Sequence, residues 1–200
     1  LKRSILFLAL LVLAFLVRHT WFQIQSVSPI ADRFTSALHD KELRLDQLLN
    51  EFESSGSIQD EGSVLFQEDG LALFHFQKNE LIYWSNNGVP IELLKDRAER
   101  HRRVEYIGNG FYEVVVRGTA NDLLVGLVLL KEVRPYQNKY LQDEWQKDLA
   151  FHADLILAPI GDGEVDVSAI DGTVLFSLAI PTAAISKKAQ WVLLMLDLLL

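Results

Sequence analysis

Two groups of side chains in this sequence have the chemistry to make a site. The first is aromatic and amide: Tyr83, Trp84 and Asn86 close one apolar run, Tyr112 lies in another, and Tyr136, Asn138 and Tyr140 fall in a polar stretch. An indole or phenol offers an apolar body with a polar handle, and an amide both donates and accepts, a mixture suited to small-molecule pockets. The same aromatics serve equally as core with their tips satisfied locally, so both readings stand. The second group is basic: Lys95, Arg97, Arg100, His101, Arg102 and Arg103, broken by Asp96 and Glu99. It is suited to an anionic ligand or lipid headgroups, and it also fits the exposed face of a helix.

Other chemistries find little support. The histidines, His19, His39, His75, His101 and His152, are scattered without a metal-ligand spacing, and a site assembled from distant parts of the fold is the remaining route to a metal. Asp162, Glu164 and Asp166 crowd one loop, but a calcium-binding loop needs a longer ligand register, so they read as a solvated acidic loop. No nucleophile elbow, phosphate-binding loop or dinucleotide fingerprint is present, and no nucleophile, base and orienting group can be named together. With no cysteine there are no disulfides and no thiolate chemistry. A net charge of −8 makes nucleic acid a poor partner.

The elements that must position these residues follow from periodicity. From Ile24 to Phe52 the apolar residues Ile24, Val27, Ile30, Phe34, Leu38, Leu45, Leu48 and Phe52 recur mostly three or four apart, with one gap of seven. That is a helix over residues 25–53, with Pro29 marking a kink or a fresh start, ended by Ser54-Ser55-Gly56-Ser57. Residues 62–180 read as a sheet-rich core. Val64–Phe66 is a short strand candidate, and Leu71–Phe76 and Leu81–Trp84 form a hairpin about Lys78-Asn79. Phe111–Arg117 and Leu123–Val133 are near-continuous apolar runs, which implies strands covered on both faces, with the N-terminal helix on one side. Tyr136–Leu149 reads as an amphipathic helix, and Val165–Ile170 and Thr173–Ile180 pair about Asp171-Gly172. The fold class is α+β, a long N-terminal helix packed on a mostly antiparallel sheet.

Both ends are apolar. Lys2 and Arg3 precede the run Ile5–Val17, and Trp21 and Phe22 come after it, which reads as a transmembrane anchor over residues 1–24 with its N-terminus inside. The run is short for a span, so a cleaved signal peptide competes, although no small-residue cleavage pattern succeeds it. Residues 189–200, after Lys187 and Lys188, read as the start of a second transmembrane helix that the sequence cuts short, with Asp197 inside it. Residues 25–185 would then form a domain outside the cytoplasm.

The order of a membrane helix, a long helix, the hairpin ending Ile82-Tyr83-Trp84-Ser85-Asn86-Asn87, the strand Gly126–Lys131 and the segment Tyr136–Leu141 resembles the extracytoplasmic input region of membrane-bound sensor histidine kinases, particularly those of Bacteroidetes. Asn86 stands where that pattern often has Asp, and Gln137 where it often has Glu, which puts an acidic ligand contact at those positions in doubt. The resemblance covers nearly all of the chain and implies a Cache- or PAS-like sensor domain in the periplasm, held in the bacterial inner membrane. It implies a homodimer, a small ligand or an envelope protein as the cue, and a cytoplasmic response regulator downstream. The protein-histidine kinase chemistry, with its ATP and Mg²⁺, would reside in a domain beyond these residues. An anchored envelope protein with a structural or assembly role is the competing reading.

Overall fold

The computed structural model describes residues 27–58, 62–90, 102–119, 121–134, 136, 143–151 and 155–179. The first element, α1 (Val27–Ser55), turns Ala31, Phe34, Leu38, Leu45, Leu48, Leu49 and Phe52 inward, all buried. Each such apolar side chain larger than alanine contributes roughly 1.5–3 kcal/mol on leaving water. Pro29 sits in the first turn, where the missing N–H would have had no intrahelical partner. A short helix, α2 (Gly62–Asp69), comes next.

Among the described residues nine strands complete the fold: β1 (Leu71–Gln77), β2 (Glu80–Trp84), β3 (Arg103–Ile107), β4 (Gly110–Thr119), β5 (Asp122–Glu132), β6 (Glu144–Trp145), β7 (Ile156–Ala158), β8 (Val165–Ser168) and β9 (Val174–Ala179). The main sheet is antiparallel in the order β2-β1-β5-β4-β3, and β6 takes up the side of β5 that β1 leaves free beyond Leu71. A smaller antiparallel sheet runs β7-β9-β8.

Two apolar cores result. One lies between α1, the main sheet and the small sheet, and joins Phe34, Leu45 and Leu48 to Leu73, Val128, Trp145, Phe176 and Leu178. Phe34 is its pivot, meeting Trp145, Phe151 and Phe176 edge-on at 5.2, 6.4 and 5.8 Å between ring centroids. The other core covers the opposite face of the main sheet, around Phe74, Phe76, Tyr112, Val125 and Leu127. The continuous apolar character of β5 is thus explained, since both of its faces are buried.

The α+β class, the long helix and the antiparallel hairpins agree with the sequence pattern, and three expectations are corrected. Val64–Phe66 is helical, part of α2; three apolar residues carry no period of their own, and Gly70, at φ +70°, ends the turn by donating its N–H to Phe66 O at 3.0 Å. The expected helix over Tyr136–Leu149 does not extend through its described end. Glu144 and Trp145 are extended as β6, and only Lys147–Leu149 form a single 3₁₀ turn. There the open edge of β5 offers ladder hydrogen bonds, and the Trp145 indole N–H donates to Leu155 O at 3.0 Å. The basic run is no exposed helix face at its described end: the Arg102 side chain is 10% exposed and Arg103 opens β3. Both apolar terminal segments lie outside the described residues, among which no helix is long and apolar enough to cross a membrane.

Gly126 explains how closely α1 approaches the sheet. A β-carbon there would lie 2.9 Å from Leu45 Cδ1 and 3.0 Å from Cδ2, both buried. Gly126→Val is expected to destabilise the protein by about 1–3 kcal/mol through overpacking, and Leu45→Ala alone by about 2–5 kcal/mol through a cavity. In denaturant unfolding, the double variant should lose clearly less than the sum of the two; strict additivity would show that the two side chains do not share that space.

Candidate functional site

The depression at the end of β2 begins with an irregularity. Along the β1–β2 ladder Phe74 faces Trp84 and His75 faces Tyr83, but Phe76 faces Leu81, leaving Ile82 as an extra residue. This bulge breaks the alternation, so Leu81 and Trp84 share the face of Phe74 and Phe76, while Tyr83 points the other way. Beyond Trp84, Ser85 clasps β1 twice, donating its N–H to Leu73 O at 2.9 Å and accepting the Leu73 N–H on Oγ at 2.9 Å. Asn86 Oδ1 then accepts the Gly88 N–H at 2.5 Å and turns the chain.

The result is an open depression of about 430 Å³ lined by Leu81, Trp84, Asn86, Asn87, Gly88, Val89 and Pro90. Trp84 in its wall is about half exposed, at 49%. Beneath, Tyr112 is fully buried and donates its hydroxyl to Asn109 Oδ1 at 2.9 Å, and Asn109 Nδ2 donates to Gly88 O at 3.3 Å. Burial, then the nearby negative charge of Glu132, push the Tyr112 phenol up to about 12 against the opposing pull of its bond to Asn109.

Trp84 and Asn86 therefore meet in one place, with Tyr112 linked to it from below. Tyr83 lies on the other face of the sheet, its ring 4.6 Å from that of Phe52 on α1, where burial raises its pKa. Tyr136 is 84% exposed and does not line the depression, and Asn138 and Tyr140 lie outside the described residues. The lining offers one indole face, several amide groups and no titratable side chain, which suits holding a flat or amide-bearing ligand rather than catalysing a reaction. Among the described residues no group of three His, Cys, Asp or Glu side chains could hold a metal ion.

No family model matches the chain, and no curated protein or solved structure matches it either.

A second cluster, buried and charged, is not apparent from the sequence. Glu42 on α1 and Glu113 on β4 are both fully buried. Arg102 Nη1 lies 2.8 Å from Glu113 Oε1 and 3.2 Å from Glu42 Oε1, its Nη2 lies 3.2 Å from Asp46, and its Nε lies 3.3 Å from Asp171. Arg117 extends the network, with Nη2 2.9 Å from Asp46 and Nη1 2.7 Å from Asn50 Oδ1. Glu42 Oε2 accepts the Ile170 N–H at 2.7 Å, so one α1 side chain reaches the turn between β8 and β9. Burial, then the proximity of Glu42, raises the Glu113 pKa well above the carboxylate range, although Arg102 pulls the other way. Burial works against the Arg102 charge, yet Glu113, Glu42 and Asp46 together raise its pKa.

The one-dimensional trace of this cluster is the gap of seven in α1. Lys41 and Glu42 occupy the inward turn between Leu38 and Leu45, and both are buried. Lys41 Nζ reaches Asp69 O and Asp148 Oδ2, each at 2.7 Å.

Tyr112→Phe removes the hydroxyl and leaves Asn109 Oδ1 without that donor, an expected cost of about 1–2 kcal/mol. A folded pKa above that of a free phenol means that the stability gained by burying the neutral phenol is complete below pH 10 and declines as pH rises toward about 12. In a spectrophotometric titration the phenol titrating near pH 12 should be absent from Tyr112→Phe; an unchanged curve would contradict the burial of Tyr112.

Proposed function

We propose that residues 25–185 form the extracytoplasmic input domain of a membrane-bound sensor histidine kinase, held in the inner membrane by segments on either side. The observation that carries this reading is the position of α1. The helix follows the N-terminal apolar segment in the chain and is the wall shared by both sheets, through Phe34, Leu45, the buried charges at 41 and 42 and the partly buried Asp46. At 1.5 Å per residue it is about 40 Å long, long enough to carry a displacement from the sheets toward the membrane. A long helix on an antiparallel sheet is also what a Cache- or PAS-like sensor would present. The depression at Trp84 and Asn86 supplies a place for a small ligand or an envelope protein segment.

In this mechanism a cue that favours one packing of sheet against helix shifts an equilibrium between two arrangements of α1. A second copy pairing along α1 would convert that shift into a sliding or rotation of two helices. The outward positions Ser36, Asp40, Leu43 and Gln47 are exposed and open to such pairing.

Two outcomes decide the proposal. The coding sequence beyond Leu200 should complete a second span and continue into a histidine-bearing helical pair and an ATP-binding domain; a stop codon within a few residues would overturn the kinase reading and favour an anchored envelope protein. Because the chain has no cysteine, Gln47→Cys provides a clean reporter of pairing. Oxidative cross-linking in membranes should give a covalent dimer, and a chain that stays monomeric with cysteines placed in turn at 36, 40, 43 and 47 would remove helix pairing from the mechanism.

A further inference from the structure

The apolar stripe of α1 is interrupted by a carboxylate that has no need to be there for packing. Glu42 and Glu113 are each 0% exposed, sit on different elements, and are brought together at one atom, Arg102 Nη1, 2.8 Å from Glu113 Oε1 and 3.2 Å from Glu42 Oε1. Each has one oxygen accounted for: Glu42 Oε2 by the Ile170 N–H, and Glu113 Oε1 by Arg102 Nη1. Of the remaining buried oxygens, Glu113 Oε2 makes no hydrogen bond among the described residues, and Glu42 Oε1 has only the charge of Arg102 Nη1, 3.2 Å away and already hydrogen-bonded to Glu113. Two buried carboxylates sharing one guanidinium nitrogen repel, and burial away from water leaves that repulsion unscreened. One proton between them satisfies both oxygens at once, as in other close carboxyl pairs. A metal ion is the wrong occupant, since the Arg102 guanidinium already stands against both carboxylates and would repel it.

We propose that Glu42 and Glu113 share a single proton, and that this proton is a latch between α1 and the main sheet: bound, it seats the helix on β4; lost, it loosens that contact. The latch belongs to these two elements and is independent of the kinase reading.

The surrounding charges favour this arrangement. From α1 come Glu42 and Asp46, from the segment entering β3 comes Arg102, from β4 come Glu113 and Arg117, and from the β8–β9 turn comes Asp171. With the proton in place, the two arginines face four carboxylates: Glu42, Asp46, Asp171 and, 3.5 Å from Arg117 Nη1, Glu53. Removing it adds a fifth negative charge at the most buried point. His39, one turn before Glu42, is directed to Ser168 O at 2.9 Å, and Lys41 is directed to Asp69 and Asp148, so neither faces the pair. On loss of the proton Glu42 keeps its bond to Ile170, and the link that weakens is the one to β4.

The sign depends on where the proton is held. The unfolded chain releases it near the ordinary glutamate value of 4.5, and the folded chain holds it to a higher pH. The stabilisation is therefore complete below about pH 4.5 and is lost as pH rises toward the point at which folded Glu113 ionises.

The test uses the full chain in mild detergent. Across that window the unfolding equilibrium of the native protein should shift by up to about tenfold per pH unit beyond that of Glu113→Gln, which keeps a neutral side chain of the same shape. Infrared spectra recorded through the window above pH 4.5 should show a protonated carboxyl band that Glu113→Gln abolishes, and exchange of α1 amides around residue 42 should accelerate with pH beyond the intrinsic rate. Glu42→Gln removes the repelling neighbour, so the same transition should move to lower pH; this variant also serves if Glu113→Gln fails to fold. Parallel pH profiles for the native protein and both variants, or a protonated carboxyl band unchanged by both substitutions, would overturn the proposal.

Discussion

Everything in this molecule depends on one helix burying its stripe against two sheets at once. Neither sheet closes a core alone on that side: the main sheet offers Leu73 and Val128 and the small one Phe176 and Leu178, and α1 fills the space between them. The close approach at Gly126 and the three edge-on contacts of Phe34 result from this shared wall. So does the burial of charge. A helix clamped from two directions has a wide inward face near its middle, and Lys41 and Glu42 fall on that face while Asp40 and Leu43 beside them stay exposed. Such charges are tolerated only where they are paired, and both find partners on distant elements. Replacement by apolar side chains of similar volume would pack as well, so their presence points to geometric specificity or to the proton chemistry of the pair.

How much of this is legible in the sequence depends on the length over which each signal accumulates. The hairpins about Lys78-Asn79 and Asp171-Gly172 are visible because turn residues and flanking apolar runs agree; Lys78 and Asn79 adopt φ of 51° and 66°, as a tight two-residue turn requires. Helix α1 is visible because its stripe repeats over many turns. Val64–Phe66 misleads because three residues cannot distinguish a period of 3.6 from one of 2, and Trp145 because a vacant sheet edge outweighs a local amphipathic pattern. The meeting of Glu42, Glu113, Arg102 and Asp171 is a tertiary event. Only its shadow, the missing apolar turn in α1, exists in one dimension.

The depression at Trp84 shows the same limit on a smaller scale. Simple alternation would put Leu81 and Tyr83 on one face, and the bulge at Ile82 defeats it, sending Tyr83 to α1 and the indole to the open side. Tyr83 and Trp84 therefore look like one group in the sequence, whereas the fold places them on opposite faces of the main sheet, Tyr83 against the α1 core and Trp84 on the open side. The bulge also disturbs the outer edge of β2, which borders no other described strand of the main sheet, and an irregular edge is a poor template for another chain.

The wide reach of α1 also bears on the order in which the molecule comes together. His39 and Glu42 bind backbone groups 129 and 128 residues further along the chain. During synthesis the helix therefore emerges long before half of its docking surface exists. At 29 residues it exceeds the length below which isolated helices are marginal, so it can form early, while its apolar stripe must wait. The charged pair at 41 and 42 divides that stripe into two shorter patches, which reduces its tendency to stick to other nascent chains in the interval. The small sheet is then the last of the described elements to emerge, and the apolar stripe of α1 is fully covered only once that sheet docks.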